Sequence, residues 1–194
     1  MDTVDFIERQ SNLLSKKECD DLINWSLNSR PIDNPLNYDK SQYSYVDFSY
    51  DEIFTLFELK PIKNAILQLI SSYNEKYPEL NLIQSWGLEY LRIKWWKPED
   101  YYSVWHSEHT IDSKHGTKNS LRVLSFLIYL SDNDSYTEFT RYGKFETKSG
   151  CGIIFPAYFT HTHRGSTCKK GLHRYIASGY FSFINSVGLK LKSI

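Results

Sequence analysis

Four of the six histidines in this 194-residue chain lie in two short motifs that could hold a metal ion. In residues 105–109 (WHSEH), His106 and Glu108 are two residues apart, so their side chains leave the same face of an extended segment. Residues 160–164 (THTHR) repeat that spacing with His161 and His163. Two histidines and one carboxylate that leave coordination positions open form the ligand set of non-haem Fe(II) oxygenases. The motifs therefore predict a metal site made of His106, Glu108 and one histidine of the second motif.

The elements that must bring these motifs together change character near residue 84. Before it, a capping box at Ser15–Glu18 and the proline at residue 61 predict two amphipathic helices. After it, apolar residues alternate or run continuously as in strands, at roughly 86–96, 101–107, 120–130, 136–140, 144–147, 151–155, 161–166 and 173–184. This order predicts a mainly β, α+β fold: a β-sandwich or jelly roll with helices packed on one sheet.

The composition is that of one folded domain over residues 1–194, with helical support over about 1–83 and a β core over about 84–185. Hydrophobic residues make up 41% and charged residues 24%, which excludes intrinsic disorder. Lys plus Arg and Asp plus Glu number 23 each, so no net charge attracts nucleic acid. The three cysteines lack ligand spacing, and the chain has neither a signal peptide nor a membrane-length apolar run. We expect a soluble, cytoplasmic protein.

The order of several motifs resembles that of a known enzyme family. The His-x-Glu pair, residues 121–131 (LRVLSFLIYLS), residues 150–156 (GCGIIFP), His163 and Arg174 follow one another as in the 2-oxoglutarate/Fe(II)-dependent dioxygenases. The similarity covers about residues 85–184 and is greatest to the prolyl 4-hydroxylase-like branch, which includes small bacterial and phage members. It implies a double-stranded β-helix fold and hydroxylation of a substrate. Fe(II), 2-oxoglutarate and O2 would be required, with ascorbate as an optional addition, and succinate and CO2 would be products.

The resemblance also assigns the metal ligands. His106 and Glu108 match the family's His-x-Asp/Glu pair, although most prolyl hydroxylase-like members have the shorter Asp. Gly165 and Gly171 follow His163 at the spacing that the family shows after its second histidine. This spacing favours His163 as the third ligand, with His161 beside the metal or on the substrate side.

The same resemblance places 2-oxoglutarate. Arg174 lies eleven residues after His163, near the distance at which the family has a basic residue for the distal carboxylate. A guanidinium suits that role because it binds a carboxylate bidentately and keeps its charge in a closed pocket. Tyr129 matches a tyrosine that binds the same carboxylate in some members, and Leu127 shares its strand face. Ser178 is a weaker candidate for the same pocket. Further candidates for substrate-side or metal-adjacent contacts are Arg164, Trp96 and Tyr102.

A competing hypothesis is a non-enzymatic β-sandwich that binds a structural metal or another ligand. Such a module has no use for a buried guanidinium beside the metal, so Arg174 separates the two hypotheses. The substrate stays open among a prolyl peptide, a free amino acid and another small molecule. We expect no membrane or nucleic-acid partner, and the sequence leaves the oligomeric state open.

Overall fold

The computed structural model describes residues 4–30, 32–33, 43–83, 85–100, 103–111 and 118–183. Three helices occupy the first half: α1 (Lys16–Leu27), α2 (Tyr50–Thr55) and α3 (Lys60–Lys76). The strands are β1 (Glu8–Gln10), β2 (Ile32–Asp33), β3 (Ser44–Ser49), β4 (Trp86–Trp96), β5 (Arg122–Tyr129), β6 (Asn133–Phe139), β7 (Gly143–Thr147), β8 (Gly152–Pro156), β9 (His163–Gly165) and β10 (Arg174–Phe183).

The two predicted helices form with the predicted signals. At the start of α1, the Ser15 side chain accepts from the Glu18 backbone N–H, and the Glu18 carboxylate accepts from the Ser15 backbone N–H. This reciprocal pair satisfies two donors that a helix end otherwise leaves free. Helix α3 has Pro61 in its first turn, where a backbone N–H is not needed. The helix ends before Pro78, because proline has no backbone N–H to continue its hydrogen bonds. Its apolar stripe is buried: Ile62, Ala65, Ile66, Leu69, Ile70 and Tyr73.

The strands form two antiparallel sheets. The larger sheet has seven strands in the order β1-β8-β5-β10-β4-β3-β2, and the smaller has three in the order β7-β6-β9. The long central pairing of β10 with β4 places Arg174 opposite Trp96. On its other side β10 pairs with β5, where Ser178 is opposite Leu127. The mostly β chain with few helices therefore has the predicted jelly-roll fold.

The larger sheet packs differently on its two faces. Leu91 and Phe126 point toward the helices and belong to the main hydrophobic cluster. Leu127 and Tyr129 point to the opposite side, where they share a second cluster with Phe139 of the smaller sheet. Successive side chains of a strand alternate between faces, so one strand serves both clusters. The candidate site residues lie on the second face, between the sheets.

Three local features differ from the sequence expectations. Residues 101–102 lie outside the described residues, and 103–107 form no strand; the only pairing there is an isolated bridge between His106 and His163. Helix α2 was not predicted, although Ser49 and Glu52 form a capping box at its start. The N-terminal segment is more than helical support, because it supplies β1, β2 and β3 to the larger sheet. None of the described helices is both long and apolar enough to cross a bilayer.

Candidate metal centre and adjoining pocket

Backbone pairing brings the two histidine motifs together. The His106 N–H donates to the His163 carbonyl at 3.0 Å, and the His163 N–H donates to the His106 carbonyl at 2.9 Å. Glu108 is fixed by its own N–H, which donates to the Ala157 carbonyl at the end of β8 at 3.0 Å. As a result, one ligand atom each of His106, Glu108 and His163 lies within 4.8 Å of the other two. The predicted ligands are thus neighbours in space although 55 residues separate the motifs along the chain.

The side-chain geometry fits a divalent transition metal. Nε2 of His106 lies 3.5 Å from Oε1 of Glu108, and Nε2 of His163 lies 3.8 Å from the same oxygen. Each imidazole is oriented from its far side: Nδ1 of His106 is 2.8 Å from the Val104 carbonyl, and Nδ1 of His163 is 3.0 Å from the His161 carbonyl. A carbonyl accepts only, so in the neutral imidazoles both Nδ1 atoms carry the proton and both Nε2 atoms, which face Glu108, are the ones that could bind a metal. Two nitrogens and one carboxylate oxygen suit Fe(II).

The electrostatics keep these donors in their metal-binding forms. Burial by itself would raise the pKa of Glu108, but its interactions with His106 and His163 outweigh burial and lower the pKa well below its usual range. Burial, together with neighbouring His106, lowers the pKa of His163 to about 3. At neutral pH the site therefore offers a carboxylate and an unprotonated imidazole.

The second motif contributes only one of its histidines to this cluster. Nε2 of His161 lies 2.8 Å from the Asp5 carbonyl, and its Nδ1 lies 2.9 Å from the Thr160 hydroxyl. The ring also stacks against Tyr142, with ring centroids 4.9 Å apart. With both ring nitrogens engaged, His161 ties the N-terminal segment to the site wall, and His163 stands as the histidine nearest to His106 and Glu108.

Arg174 and Tyr129 meet through Thr137 in the buried space between the two sheets. Arg174 is 2% exposed, and among the described residues it has no carboxylate partner. Its Nη1 donates to the Ser166 carbonyl and its Nη2 to the Thr137 hydroxyl, both at 3.3 Å, while its Nε has no acceptor in the part of the chain that the structure describes. The Tyr129 hydroxyl donates to the same Thr137 oxygen at 2.9 Å. A buried guanidinium without an anion is costly, so this pocket is built for a negatively charged ligand.

Further candidates line this pocket or lie at its edge. Trp96 is opposite Arg174, its ring is 5.3 Å from the guanidinium, and its buried indole N–H has no acceptor among the described residues. Leu127 belongs to the apolar cluster of the pocket wall. The Ser178 hydroxyl donates to the Arg92 carbonyl at 3.4 Å, so it is partly engaged by the sheet. Arg164 points to the surface, where Glu138 binds it at 2.7 Å. Tyr102 lies outside the described residues.

The sequence reasoning missed three polar side chains on the same face. Thr137 links Tyr129 to Arg174, and a lone threonine in a strand carries no signal for that role. Arg122 contacts Glu108, and Lys94 lies near the C-terminal end of β4. A signal for these two was available: each is a long cation within a largely apolar strand, and period-two alternation places it on the inner face.

Comparison with known proteins shows which fold this chain shares. No protein-family model matches the chain, and no curated protein does. Solved structures do match. A viral collagen prolyl hydroxylase from Paramecium bursaria Chlorella virus-1, in a 2-oxoglutarate complex, superimposes with a TM-score of 0.68 at 20% identity, covering 92% of this chain and 97% of its own.

Two further solved structures of prolyl hydroxylases match this chain. A Pseudomonas putida prolyl-4-hydroxylase gives a TM-score of 0.62 at 12% identity, with 94% of this chain and 95% of that chain covered. A Trichoplax adhaerens prolyl hydroxylase, solved with a fragment of hypoxia inducible factor, gives 0.64 at 10% identity, with 92% and 84% covered. Identities this low establish the fold alone. This chain has the double-stranded β-helix fold of the 2-oxoglutarate/Fe(II) oxygenases, in the form found in prolyl hydroxylases.

Proposed function

We propose that this protein is a 2-oxoglutarate- and Fe(II)-dependent dioxygenase that hydroxylates its substrate. The observation that carries the proposal is the presence of two complementary groups of side chains on one face of the sheet. One is the His106–Glu108–His163 cluster, whose ligand atoms lie within 4.8 Å of one another. The other is Arg174, a buried guanidinium without an acid partner among the described residues. A chelating dianion such as 2-oxoglutarate satisfies both.

Each residue has a definite task in this proposal. His106, Glu108 and His163 hold Fe(II) and leave part of its coordination sphere open. Arg174 and Tyr129 bind the distal carboxylate of 2-oxoglutarate, which fixes the cosubstrate in one orientation. Apolar side chains such as Leu127 exclude water from the pocket. When bound, the metal and cosubstrate supply the oxidising chemistry, with succinate and CO2 as products.

The non-enzymatic alternative explains less of this geometry. A module with a structural metal would use the His–Glu–His cluster, but it would leave the buried Arg174 without an anion and its Nε without an acceptor among the described residues. Orphaned buried polar groups are rare in folded proteins and lower their stability. The enzymatic proposal assigns an anionic ligand to Arg174.

The substrate belongs to the classes that related structures handle, either a peptide or a small molecule. The Chlorella virus neighbour is a collagen prolyl hydroxylase, and the Trichoplax neighbour was solved with a peptide fragment. Both make a prolyl peptide a reasonable first substrate to assay. Free amino acids are the second class to assay, because their carboxylate could pair with the Lys94 ammonium.

Anaerobic spectroscopy tests the proposal directly. Fe(II) and 2-oxoglutarate added together should give the weak visible charge-transfer band of a chelated 2-oxo acid. Glu108→Ala should lose this band, whereas Glu138→Ala, which breaks only the Arg164 ion pair, should keep it. Absence of the band at saturating 2-oxoglutarate, with Fe(II) shown to be bound, would refute the proposal. Succinate release in air with a panel of prolyl peptides and amino acids would then identify the substrate.

A further inference from the structure

The two oxygens of the Glu108 carboxylate face different partners. Oε1 faces the imidazoles, 3.5 Å from His106 Nε2 and 3.8 Å from His163 Nε2. Oε2 faces Arg122, whose Nη1 lies 3.4 Å from it and 3.5 Å from the Glu108 backbone carbonyl. We propose that Arg122 is a positioning residue for the metal site: it holds Oε2 and so presents Oε1 to the metal. This inference rests on the proposed metal site.

The arginine is itself held in place by other contacts. It is 6% exposed, and its Nε donates to Oε2 of Glu89 at 3.3 Å. The guanidinium carbon lies 3.5 Å from the centroid of the Tyr180 ring, a close cation–π contact. The Ser182 hydroxyl donates to the same Glu89 oxygen at 2.6 Å. Because β4 and β10 supply these partners, two neighbouring strands of the same sheet fix the guanidinium before any metal binds.

The length of the glutamate explains why such a partner is needed. Glutamate has one more rotatable bond than aspartate, so it loses more side-chain entropy when it is fixed. An unrestrained carboxylate could also offer both oxygens to the metal and occupy an extra coordination position. Outer partners that orient metal ligands typically change metal affinity by about 10- to 100-fold when removed.

A purely electrostatic role for Arg122 predicts the opposite change in metal affinity when the arginine is removed, which makes the inference testable. Removing a positive charge beside a cation site should tighten metal binding if Arg122 acts only through its charge. If it positions Glu108, Arg122→Met should weaken Co(II) binding roughly 10- to 100-fold and change the visible d–d spectrum of the bound Co(II). Arg122→Lys should recover part of the affinity, because lysine keeps the charge but not the fork.

Co(II) titration of the apo-protein decides the question. Arg92→Met is the matched control, because it also breaks an inner-face arginine–carboxylate pair, with Asp47, but does not contact Glu108. It should bind Co(II) like the wild type. Unchanged or tighter Co(II) binding by Arg122→Met would overturn the inference, as would equal weakening by Arg92→Met. If Arg122→Met does not fold, wild-type affinity and spectrum in Arg122→Lys would overturn it. Failure of the wild type to bind Co(II) would instead refute the proposed metal site.

A separate observation concerns Lys94 on the neighbouring strand. Its ammonium lies 5.9 Å from the centroid of the Trp96 ring, and it forms no hydrogen bond or ion pair with another described residue. By contrast, the two inner-face arginines of β4 and β5 form ion pairs. Arg92 is bound by Asp47 at 2.6 and 2.7 Å, and Arg122 is bound by Glu89 and Glu108. Burial lowers the pKa of Lys94 to about 8, and both Glu108 and Arg174 lie close enough to act on it.

With Fe(II) and 2-oxoglutarate bound, the other charges of the site would leave the Lys94 ammonium without a negative partner. Fe(II) and Glu108 together with dianionic 2-oxoglutarate and Arg174 sum to zero. The Arg92–Asp47 and Arg122–Glu89 pairs are neutral as well. We infer that Lys94 binds the carboxylate of a small substrate, such as a free amino acid. Within a peptide chain the α-carboxyl is a neutral amide and could not pair with it. This inference also rests on the proposed function.

Matched acids and amides test the inference. The probes are the common L-amino acids and their primary amides, added to protein loaded with Zn(II) and 2-oxoglutarate, and the readout is the melting temperature. At least one acid should raise it while its amide does not, because only the acid pairs with the ammonium. Lys94→Met should abolish the shift, whereas Lys97→Met, an exposed lysine just beyond the same strand, should keep it.

The outcomes separate the inference from the proposed function. No stabilising acid, equal effects of acids and amides, or an undiminished shift in Lys94→Met would each overturn the role of Lys94. A loss of about tenfold or more in 2-oxoglutarate affinity in Lys94→Met would also overturn it, by assigning the lysine to the cosubstrate. Failure of the wild type to bind 2-oxoglutarate with Zn(II) would refute the proposed function instead.

Discussion

Replacing Arg174 by methionine should separate cosubstrate binding from metal binding. The guanidinium is 2% exposed, and among the described residues its Nε lacks an acceptor while Nη1 and Nη2 make long contacts of 3.3 Å to neutral oxygens. In the proposed site, the distal carboxylate of 2-oxoglutarate would be its strongest partner. Hydrogen bonds to charged groups contribute about 1.5–3 kcal/mol, so losing one such contact should weaken 2-oxoglutarate binding roughly 10- to 150-fold. Metal affinity should not change, because no metal ligand is touched.

A ligand without the distal carboxylate supplies the internal control. 2-Oxopentanoate carries a methyl group where 2-oxoglutarate has its distal carboxylate, and it should bind the wild type and Arg174→Met almost equally. Isothermal titration of both acids against both proteins, loaded with Zn(II), isolates the energy of the carboxylate–guanidinium pair. Arg174→Lys should recover part of it. The unliganded variant should be at least as stable as the wild type, because methionine fills the space without burying an unpaired charge.

Equal loss of affinity for both acids would refute this reasoning, since the arginine would then be supporting the pocket as a whole. Unchanged 2-oxoglutarate affinity in a folded, metal-loaded Arg174→Met protein would move the carboxylate site elsewhere. Either result would also weaken the assignment of the pocket to 2-oxoglutarate.

Three further predictions follow from the site and the turns. His163→Ala should abolish Fe(II) binding and His161→Ala should retain it, measured by anaerobic titration; the reverse order would contradict the ligand assignment. Tyr129→Phe should weaken 2-oxoglutarate about fivefold, the loss of one hydrogen bond of about 1 kcal/mol, and a tenfold larger loss would show that the ring packing has changed. Gly150→Ala should lower the free energy of unfolding by more than Gly143→Ala in urea titrations. Both glycines have φ near +80°, but only at Gly150 would a Cβ lie 2.1 Å from a backbone oxygen, that of Leu14; equal losses would contradict this.

Periodic and capped elements were predictable because their signals are local. The buried face of α3 follows directly from the i, i+3, i+4 spacing of its apolar residues. Helix α2 was missed because six residues are too few for a period, although its Ser49–Glu52 capping box was visible. Strand β1 has no apolar pattern: Glu8, Arg9 and Gln10 join the sheet through backbone pairing with β8. Such pairing is decided by the partner strand and leaves no trace in the local sequence.

The parts of the candidate site with local sequence signals were predictable as well, and the parts that depend on tertiary packing were not. The two histidine motifs were identified because metal-ligand spacing is written in the sequence, and they do meet in space. The expected strand over 101–107 was wrong for its described part, 103–107, because a single bridge, His106 with His163, holds this segment. The role of Thr137 depends on β6 of the smaller sheet packing against β5 and β10, which only the three-dimensional structure shows.

The position of β1 has a consequence for how the chain folds. Its partners Ile153 and Ile154 in β8 lie about three quarters of the chain length away, so their pairing closes a very long loop and should form late. Until then β8 is the edge of the larger sheet, and an unpaired edge of Gly-Ile-Ile-Phe is a template for intermolecular strand pairing. During synthesis, β1 is made first and stays without its partner strand until β8 has been made. Weakening β1 should therefore reduce the yield of folded protein through aggregation before it measurably changes the stability of the native state.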